Sequence, residues 1–592
     1  MSAFNVDSAR VLLRDVVAPQ HPLATEALIL PKGHQKRPGC RPLPSNIVLE
    51  RDQALTLRDG TKIFADIYRP ETDQNTQVPA IVMWSPYGKS STGLIVLSTI
   101  LPFQAGIPDS QLSGYESFEG LDPAEWVPRG YAIVNIDARG SNHSEGNMRW
   151  FGSAEGRDGH DAIEEIAKLD WCNGKVGMAG NSWLAAAQYY VAVEKPAHLA
   201  CIAPLEGFSD PVREMTLRGG IPHTSFSKTI ANTLTGTCSV RATFERCINF
   251  IGTSKQEDLI AMVQDFNNFK DYFEDKRVDF SKIDVPAYIG ASYSTDIHTI
   301  GSLRAFEEIP HDKKWIVLHA SQEWYDLYSV DRTRDLSRFF DYYLKGIANH
   351  WLETKPARVA LLRYPQPALL DQEFEDLPWH LPSASKQQLF LDSQGGLSVS
   401  NPAESSTQSY RAESSEALTF SYRFSSRTVI IGPSTLSIHI ASPAHDDMDI
   451  YAHIFKADAK GNTLTHMNIP ISPEEAASTL TENKLFRYRG PTGCLRASRR
   501  HVSPQQSGKT WHTLSFSRVE PVKPGDIVKL DIQMWPTGIV FGEGERLILK
   551  VSGKYIGLPS NPGLELEAIN NRGQHVVYTG GEFASSLQFY TL

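Results

Sequence analysis

Apolar positions along this chain follow three different rhythms. Val78–Trp84 and Tyr131–Ile136 are continuous apolar runs of strand length, as expected for strands covered on both faces of a parallel sheet. Ile47–Leu55 and Lys62–Tyr68 predict a hairpin about Asp59-Gly60, Asp161–Leu169 a helix and Val176–Ala179 a further strand. An Ala-rich helical run, Leu184–Val191, follows that strand. Such alternation over residues 46–206 predicts a doubly wound α/β core. Val285–Gly290, Trp315–Leu318 and the helical pattern Arg332–Leu344 resume it over residues 283–365. Residues 207–282 interrupt the rhythm with mixed aromatic and polar helical segments, Leu259–Phe269 the clearest, and without a convincing strand. They predict a helical cap inserted into the core. From residue 366 to 592 the pattern is strand-length alternation between turn signals (Gln388–Leu391, Thr428–Ile431, Leu436–Ile440, Ile450–Phe455, Ile527–Ile532, Arg546–Val551). That predicts an all-β jelly-roll sandwich. Residues 1–45, punctuated by Pro19, Pro22, Pro31, Pro38, Pro42 and Pro44, predict an extended arm.

Composition narrows the class. The 592 residues are 41% hydrophobic and 21% charged, ordinary for a globular protein with large cores. The net charge of −10 is spread along the chain with no basic stripe, which argues against nucleic acid as a partner. No run approaches the ~18 apolar residues of a membrane span, and Met1–Val17 lacks a signal-peptide core. Six scattered cysteines (Cys40, Cys172, Cys201, Cys238, Cys247, Cys494) contain no C-x-x-C pair and read as buried thiols, not a metal site. The expectation is a cytoplasmic enzyme with a small-molecule substrate, no cofactor and no metal, and with a homodimer allowed.

Candidate chemistry centres on Gly180-Asn181-Ser182-Trp183-Leu184, where a strand turns into a helix with serine at the apex. This is the setting of a nucleophile elbow, although Leu184 stands where the general G-x-S-x-G pattern has glycine. Trp183 would supply one backbone N–H of an oxyanion hole. A second donor is expected from the loop after an early strand, where Tyr87 offers a phenolic O–H or serves as a core aromatic.

Pro86-Tyr87-Gly88, Asp137-Ala138-Arg139-Gly140-Ser141 with Ser144-Glu145-Gly146, and Gly177 to Trp183 together resemble the cocaine esterase and X-Pro dipeptidyl-peptidase family. Gly493 to Ser498, Lys523 to Asp526, Trp535-Pro536-Thr537 and Gly544 to Leu547 resemble that family's jelly-roll domain. The resemblance implies an α/β-hydrolase core, a helical cap and a β-sandwich, with esterase, amidase or dipeptidyl-peptidase chemistry. It also implies Ser182 as nucleophile, with Tyr87 and the Trp183 N–H forming the oxyanion hole. Counting back from Ser302 to Phe306 places the family's acid at Asp296. Its histidine falls on Gln322 or Glu323, neither of which is an imidazole.

Two nearby histidines could restore the base: His298, two residues beyond Asp296, and His319, at the end of the Trp315–Leu318 run. One coherent arrangement exchanges roles, with His298 supplying the imidazole and Glu323 or Asp296 the orienting carboxylate. His223, in the cap, is a weaker candidate for contact with substrate. The leading expectation is serine-dependent hydrolysis or acyl transfer on an ester or amide of a small, partly hydrophobic molecule. The alternatives are a non-hydrolytic lyase, cyclase or C–C-cleaving enzyme on the same fold, and a catalytically inactive binding protein.

Overall fold

In the computed structural model the described residues are 11–15, 22–73, 76–90, 92–100, 104–223, 255–265, 270–472, 474–475, 486–557 and 571–592. Eleven strands make the central sheet: β1 (Glu26–Leu30), β2 (Ile47–Thr56), β3 (Lys62–Pro70), β4 (Val78–Ser85), β5 (Ala132–Asp137) and β6 (Cys172–Asn181) come first. They are followed by β7 (Leu199–Leu205), β8 (Ala287–Ser292), β9 (Lys314–His319), β10 (Ala357–Arg363) and β11 (Gln366–Phe374). Their spatial order is β1-β2-β3-β5-β4-β6-β7-β8-β9-β10-β11. The pairs from β5 to β10 are parallel, and the outer pairs are antiparallel. Every residue of β4, β5 and β8 is buried, which is why these strands read as unbroken apolar runs. The N-terminal arm is not merely extended: its residues 26–30 add β1 to the sheet edge beside β2.

One helix differs from its sequence pattern. It runs from Gly152 to Ala167, nine residues earlier than the periodicity of Asp161–Leu169 places its start. Glycines hide it, since they score poorly as helix formers. A Cβ at Gly156 would stand 2.6 Å from the Tyr190 carbonyl, and one at Gly159 would stand 2.2 Å from Val191. Both positions lie against the helix Trp183–Val193 that follows the elbow. The glycines set how closely the two helices approach.

Within residues 207–282 the described segments are short helical pieces (Val212–Thr216, Leu259–Gln264, Lys270–Asp275). A three-residue strand, Lys255–Glu257, pairs with Leu13–Asp15, so this region holds one strand that its sequence does not signal. Phe226, Phe244, Phe250 and Phe266, together with Cys238 and Cys247, lie outside the described residues.

The C-terminal region is all-β. One sheet contains Ser385–Leu391, Ser406–Arg411, Thr428–Ala441, Val528–Phe541, Gln574–Thr579 and Ser586–Thr591. The second contains Ala417–Arg423, Arg546–Ser552, Asp449–Ala457 and Thr492–Arg496. Two runs that read as separate strands, Thr428–Ile431 and Leu436–Ile440, belong to one strand of 14 residues. The intervening Gly432-Pro433 looks like a turn but is a register shift in the pairing with Val528–Phe541. A bulge tolerates a proline that has no N–H to donate. A single parallel bridge, Leu362 to Ile539, carries hydrogen bonding from the core sheet into the sandwich. Among the described residues no helix is long and apolar enough to cross a membrane.

Candidate functional site

The elbow is strained where chemistry needs it. Ser182 sits at φ 56°, ψ −115°, between the end of β6 and the first turn of Trp183–Val193. Such a conformation costs on the order of 1–3 kcal/mol and persists only where surrounding bonds enforce it. Here the Asn181 N–H donates to the Glu119 carbonyl at 3.0 Å, and the Ser182 N–H lies 3.2 Å from the Glu206 carbonyl. Gly180 has φ +127°, and a Cβ there would meet Leu184 at 2.7 Å and the Glu119 carbonyl at 3.0 Å. Leu184, the departure from the short motif, thus folds back over Gly180 and leaves room only for glycine.

Tyr87 lies in the loop after β4, buried edge-on against Phe118 and Trp183 with centroids at 5.5 and 6.1 Å. The Ser182 side chain neighbours its hydroxyl, and burial holds its pKa well above 10. It therefore keeps its proton and remains a donor at neutral pH. Trp183 opens its helix, so its backbone N–H has no intrahelical acceptor.

His298 follows β8 and heads the helix Thr299–Glu308, its ring stacked 5.9 Å from Phe208. His298 Nδ1 lies 3.1 Å from Glu323 Oε2, and both side chains are buried. Glu323 opens the short helix Glu323–Leu327. Gln322, where the family count puts a histidine, caps that helix instead: its Oε1 accepts from the Trp324 and Tyr325 N–H groups. Ser182 and the charge of Glu323 both act on Tyr87, so the serine, the phenol and the imidazole–carboxylate pair share one neighbourhood.

The other candidates are placed differently. Asp296 forms an ion pair with Arg218 at 3.1 Å, and the Arg218 guanidinium lies 4.8 Å from the Trp535 ring of the sandwich. His319 Nε2 is 3.0 Å from Glu206 Oε1 and 3.7 Å from Asp326 Oδ2. Burial opposes its charged form, yet Asp326 and Glu206 outweigh burial and raise its pKa. His223 is buried with Nε2 3.9 Å from Cys494 Sγ, again facing the sandwich.

Three carboxyls at the site are not singled out by sequence reasoning. Glu206 directly follows β7, and a charged residue at the C-terminal edge of a parallel strand is a usable signal. Glu119, buried and raised in pKa by burial and by Glu323, receives the Trp324 Nε1–H at 3.2 Å and has no periodic pattern to mark it. Glu155 reads as an ordinary acidic residue in the first turn of a helix. It is instead buried, accepting from Trp84 Nε1 at 2.8 Å, Trp183 Nε1 at 2.9 Å and the Phe151 N–H at 2.8 Å.

Burial pushes the Glu155 carboxyl up to about 7 despite those donors. Unfolded, it would titrate near 4.3. Between these values the folded chain holds a proton that the unfolded chain releases, so stability falls as pH rises from about 4 to about 7. Glu155→Gln cannot ionise. The loss of Tm between roughly pH 5 and pH 8 is expected to shrink by ~1–2 °C in the variant by scanning calorimetry. An unchanged difference would show that Glu155 does not contribute to it.

Comparison with known proteins agrees with this architecture. The model for X-Pro dipeptidyl-peptidase (S15 family) matches residues 59–322, and that for the X-Pro dipeptidyl-peptidase C-terminal non-catalytic domain matches residues 349–588. Cocaine esterase from Rhodococcus is 31% identical over 157 residues, which are 26% of this chain and 23% of that protein. The matched stretch spans about a quarter of the length of the curated relatives. A CocE/NonD family hydrolase from Staphylococcus aureus superposes with a TM-score of 0.83 at 26% identity, covering 98% of this chain and 100% of that one. An aminopeptidase from a marine sediment archaeon shares the fold at 13% identity and a TM-score of 0.63, covering 92% and 96% of the two chains. With two family models laid end to end over most of its length and a relative superposing along nearly all of it, the chain belongs to the cocaine esterase and X-Pro dipeptidyl-peptidase family of α/β-hydrolases.

Proposed function

We propose that this protein is a serine-dependent hydrolase or acyl-transfer enzyme acting on an ester or amide of a small, partly hydrophobic molecule. Ser182 Oγ attacks the carbonyl carbon while His298 takes its proton. Glu323 orients the imidazole and stabilises the imidazolium, as a buried carboxylate does in a triad. The developing oxyanion is received by the Tyr87 hydroxyl and the Trp183 N–H. The proton on His298 then passes to the leaving oxygen or nitrogen, and an acyl group remains on Ser182 until water or a second nucleophile removes it. The observation that carries this reading is the 3.1 Å pairing of His298 with Glu323 in the neighbourhood of Ser182 and Tyr87. It exchanges the positions that base and acid occupy in the family pattern while keeping both roles. Asp296 is engaged with Arg218, and we assign the acid to Glu323. Residues 207–282 form the cap in this reading, and His223, turned toward Cys494 of the sandwich, is given no part in the chemistry.

A fluorophosphonate probe tests the nucleophile without knowledge of the substrate. It should attach once per chain, on the peptide carrying Ser182, and block turnover of simple aryl esters in parallel. Failure to label, or undiminished labelling of Ser182→Ala, would refute the covalent mechanism.

A further inference from the structure

Three side chains far apart in sequence converge close to the elbow: Glu206 after β7, His298 after β8 and Glu323 after β9. One donor atom from each lies within 4.8 Å of the other two. All three are buried, with relative exposures of 1%, 1% and 7%. Glu206 also accepts the Ser182 N–H through its main-chain carbonyl, so the group is built into the elbow's own support.

Their polar atoms are poorly satisfied. Both carboxylate oxygens of Glu206, both ring nitrogens of His298 and Oε2 of Glu323 lack an aligned hydrogen bond among the described residues. Glu323 Oε2 and His298 Nδ1 are at ion-pair distance, as are Glu206 Oε1 and His319 Nε2, but neither contact lies on the hydrogen-bonding line. Two carboxylates held close together away from water repel each other. Each buried polar group left unmatched is destabilising. A dication among them would relieve both.

We propose that Glu206, His298 and Glu323 form a binding site for a zinc-type divalent cation, and that its occupation reversibly inhibits the enzyme. One imidazole nitrogen and two carboxylate oxygens suit zinc, which takes mixed nitrogen and oxygen ligands in small numbers. Magnesium and calcium favour all-oxygen shells, so the imidazole nitrogen makes this donor set better matched to zinc. Two carboxylates balance the charge of one dication. Donors on a tetrahedral zinc lie about 3.4 Å apart. A bound zinc would therefore draw the three donors in from a spread of up to 4.8 Å. His319, against Glu206 at 3.0 Å, would orient that ligand from behind.

Inhibition follows whichever ring nitrogen binds. At Nε2 the metal occupies the lone pair that would take a proton; at Nδ1 it displaces the proton facing Glu323. The binding claim stands by itself, whereas the inhibitory consequence rests on the proposed hydrolase reading.

Chelator-treated protein titrated with zinc chloride should hold about one equivalent at roughly 10 µM free metal, measured by equilibrium dialysis and mass spectrometry. Ser182→Ala should bind zinc as tightly as the wild type. Glu206→Gln and Glu323→Gln should each weaken binding by about tenfold or more. Zinc-edge X-ray absorption on the wild-type chain keeps the test open if a variant does not fold, and should report one imidazole with oxygen ligands. No bound zinc, sulfur ligation through the cysteines, or unchanged affinity in both glutamine variants would overturn the site. Ester turnover by wild-type enzyme should stop on zinc loading and return with a chelator. Persistent turnover of the loaded enzyme would overturn the inhibition. A chain inactive even without metal would instead count against the hydrolase reading, while the dialysis result still decides the site.

Discussion

Ser182→Ala is expected to lower kcat on any substrate ester by at least about 10⁴-fold while moving Tm by no more than ~1 °C. The loss is large because the covalent step has no substitute: neither Tyr87 nor His298 can hold an acyl group in the same place. Stability is spared because alanine occupies the same φ 56° position at similar cost, and the serine side chain fills little of the core. The backbone bonds that enforce the turn, from Asn181 to Glu119 and from Ser182 to Glu206, involve no Ser182 side-chain atom. The measurement is steady-state kinetics beside a thermal melt. Retained turnover within about tenfold of wild type would exclude an acyl-enzyme on Ser182.

His298→Ala should cost nearly as much, and combining it with Ser182→Ala should add almost nothing, because base and nucleophile act as one unit. Glu323→Gln is expected to lower kcat by about 10³–10⁴-fold, since an amide can neither fix the imidazole tautomer nor balance its charge. Asp296→Asn, by contrast, should leave kcat within about tenfold, because Asp296 is held by Arg218. These variants separate the exchanged arrangement from the family pattern. Were Asp296→Asn the crippling change and Glu323→Gln the mild one, the acid would lie after β8 as in the relatives' pattern, and our assignment would be wrong.

Much of this architecture is legible before any folding is considered. β4, β5 and β8 announce themselves because burial on both faces demands unbroken apolar side chains, and the sandwich because one wet face imposes alternation. The elbow is legible because a strained turn tolerates few residues at Gly180 and Ser182. Where local signals mislead, the cause is tertiary. Gly152–Ala167 starts early because its glycines answer to a neighbouring helix, and Gly432-Pro433 is a bulge because the opposite strand carries the pairing through it. Glu155 looks like a surface acid until Trp84 and Trp183, from two separate segments, converge on it.

The catalytic partnership belongs to the same category. By itself the sequence determined β2 to β6, β8 and β9, the sharp turn holding Ser182, and the presence of histidines and acids near the ends of β8 and β9; β1, β7, β10 and β11 carry no comparable signal. Only the tertiary structure decided which of them meet. β7, β8 and β9 lie side by side and parallel, so Glu206, His298 and Glu323 leave the sheet at the same edge although more than a hundred residues separate the first from the last. Chain spacing carries no record of that adjacency, because strand order is set by how the whole sheet buries its two faces.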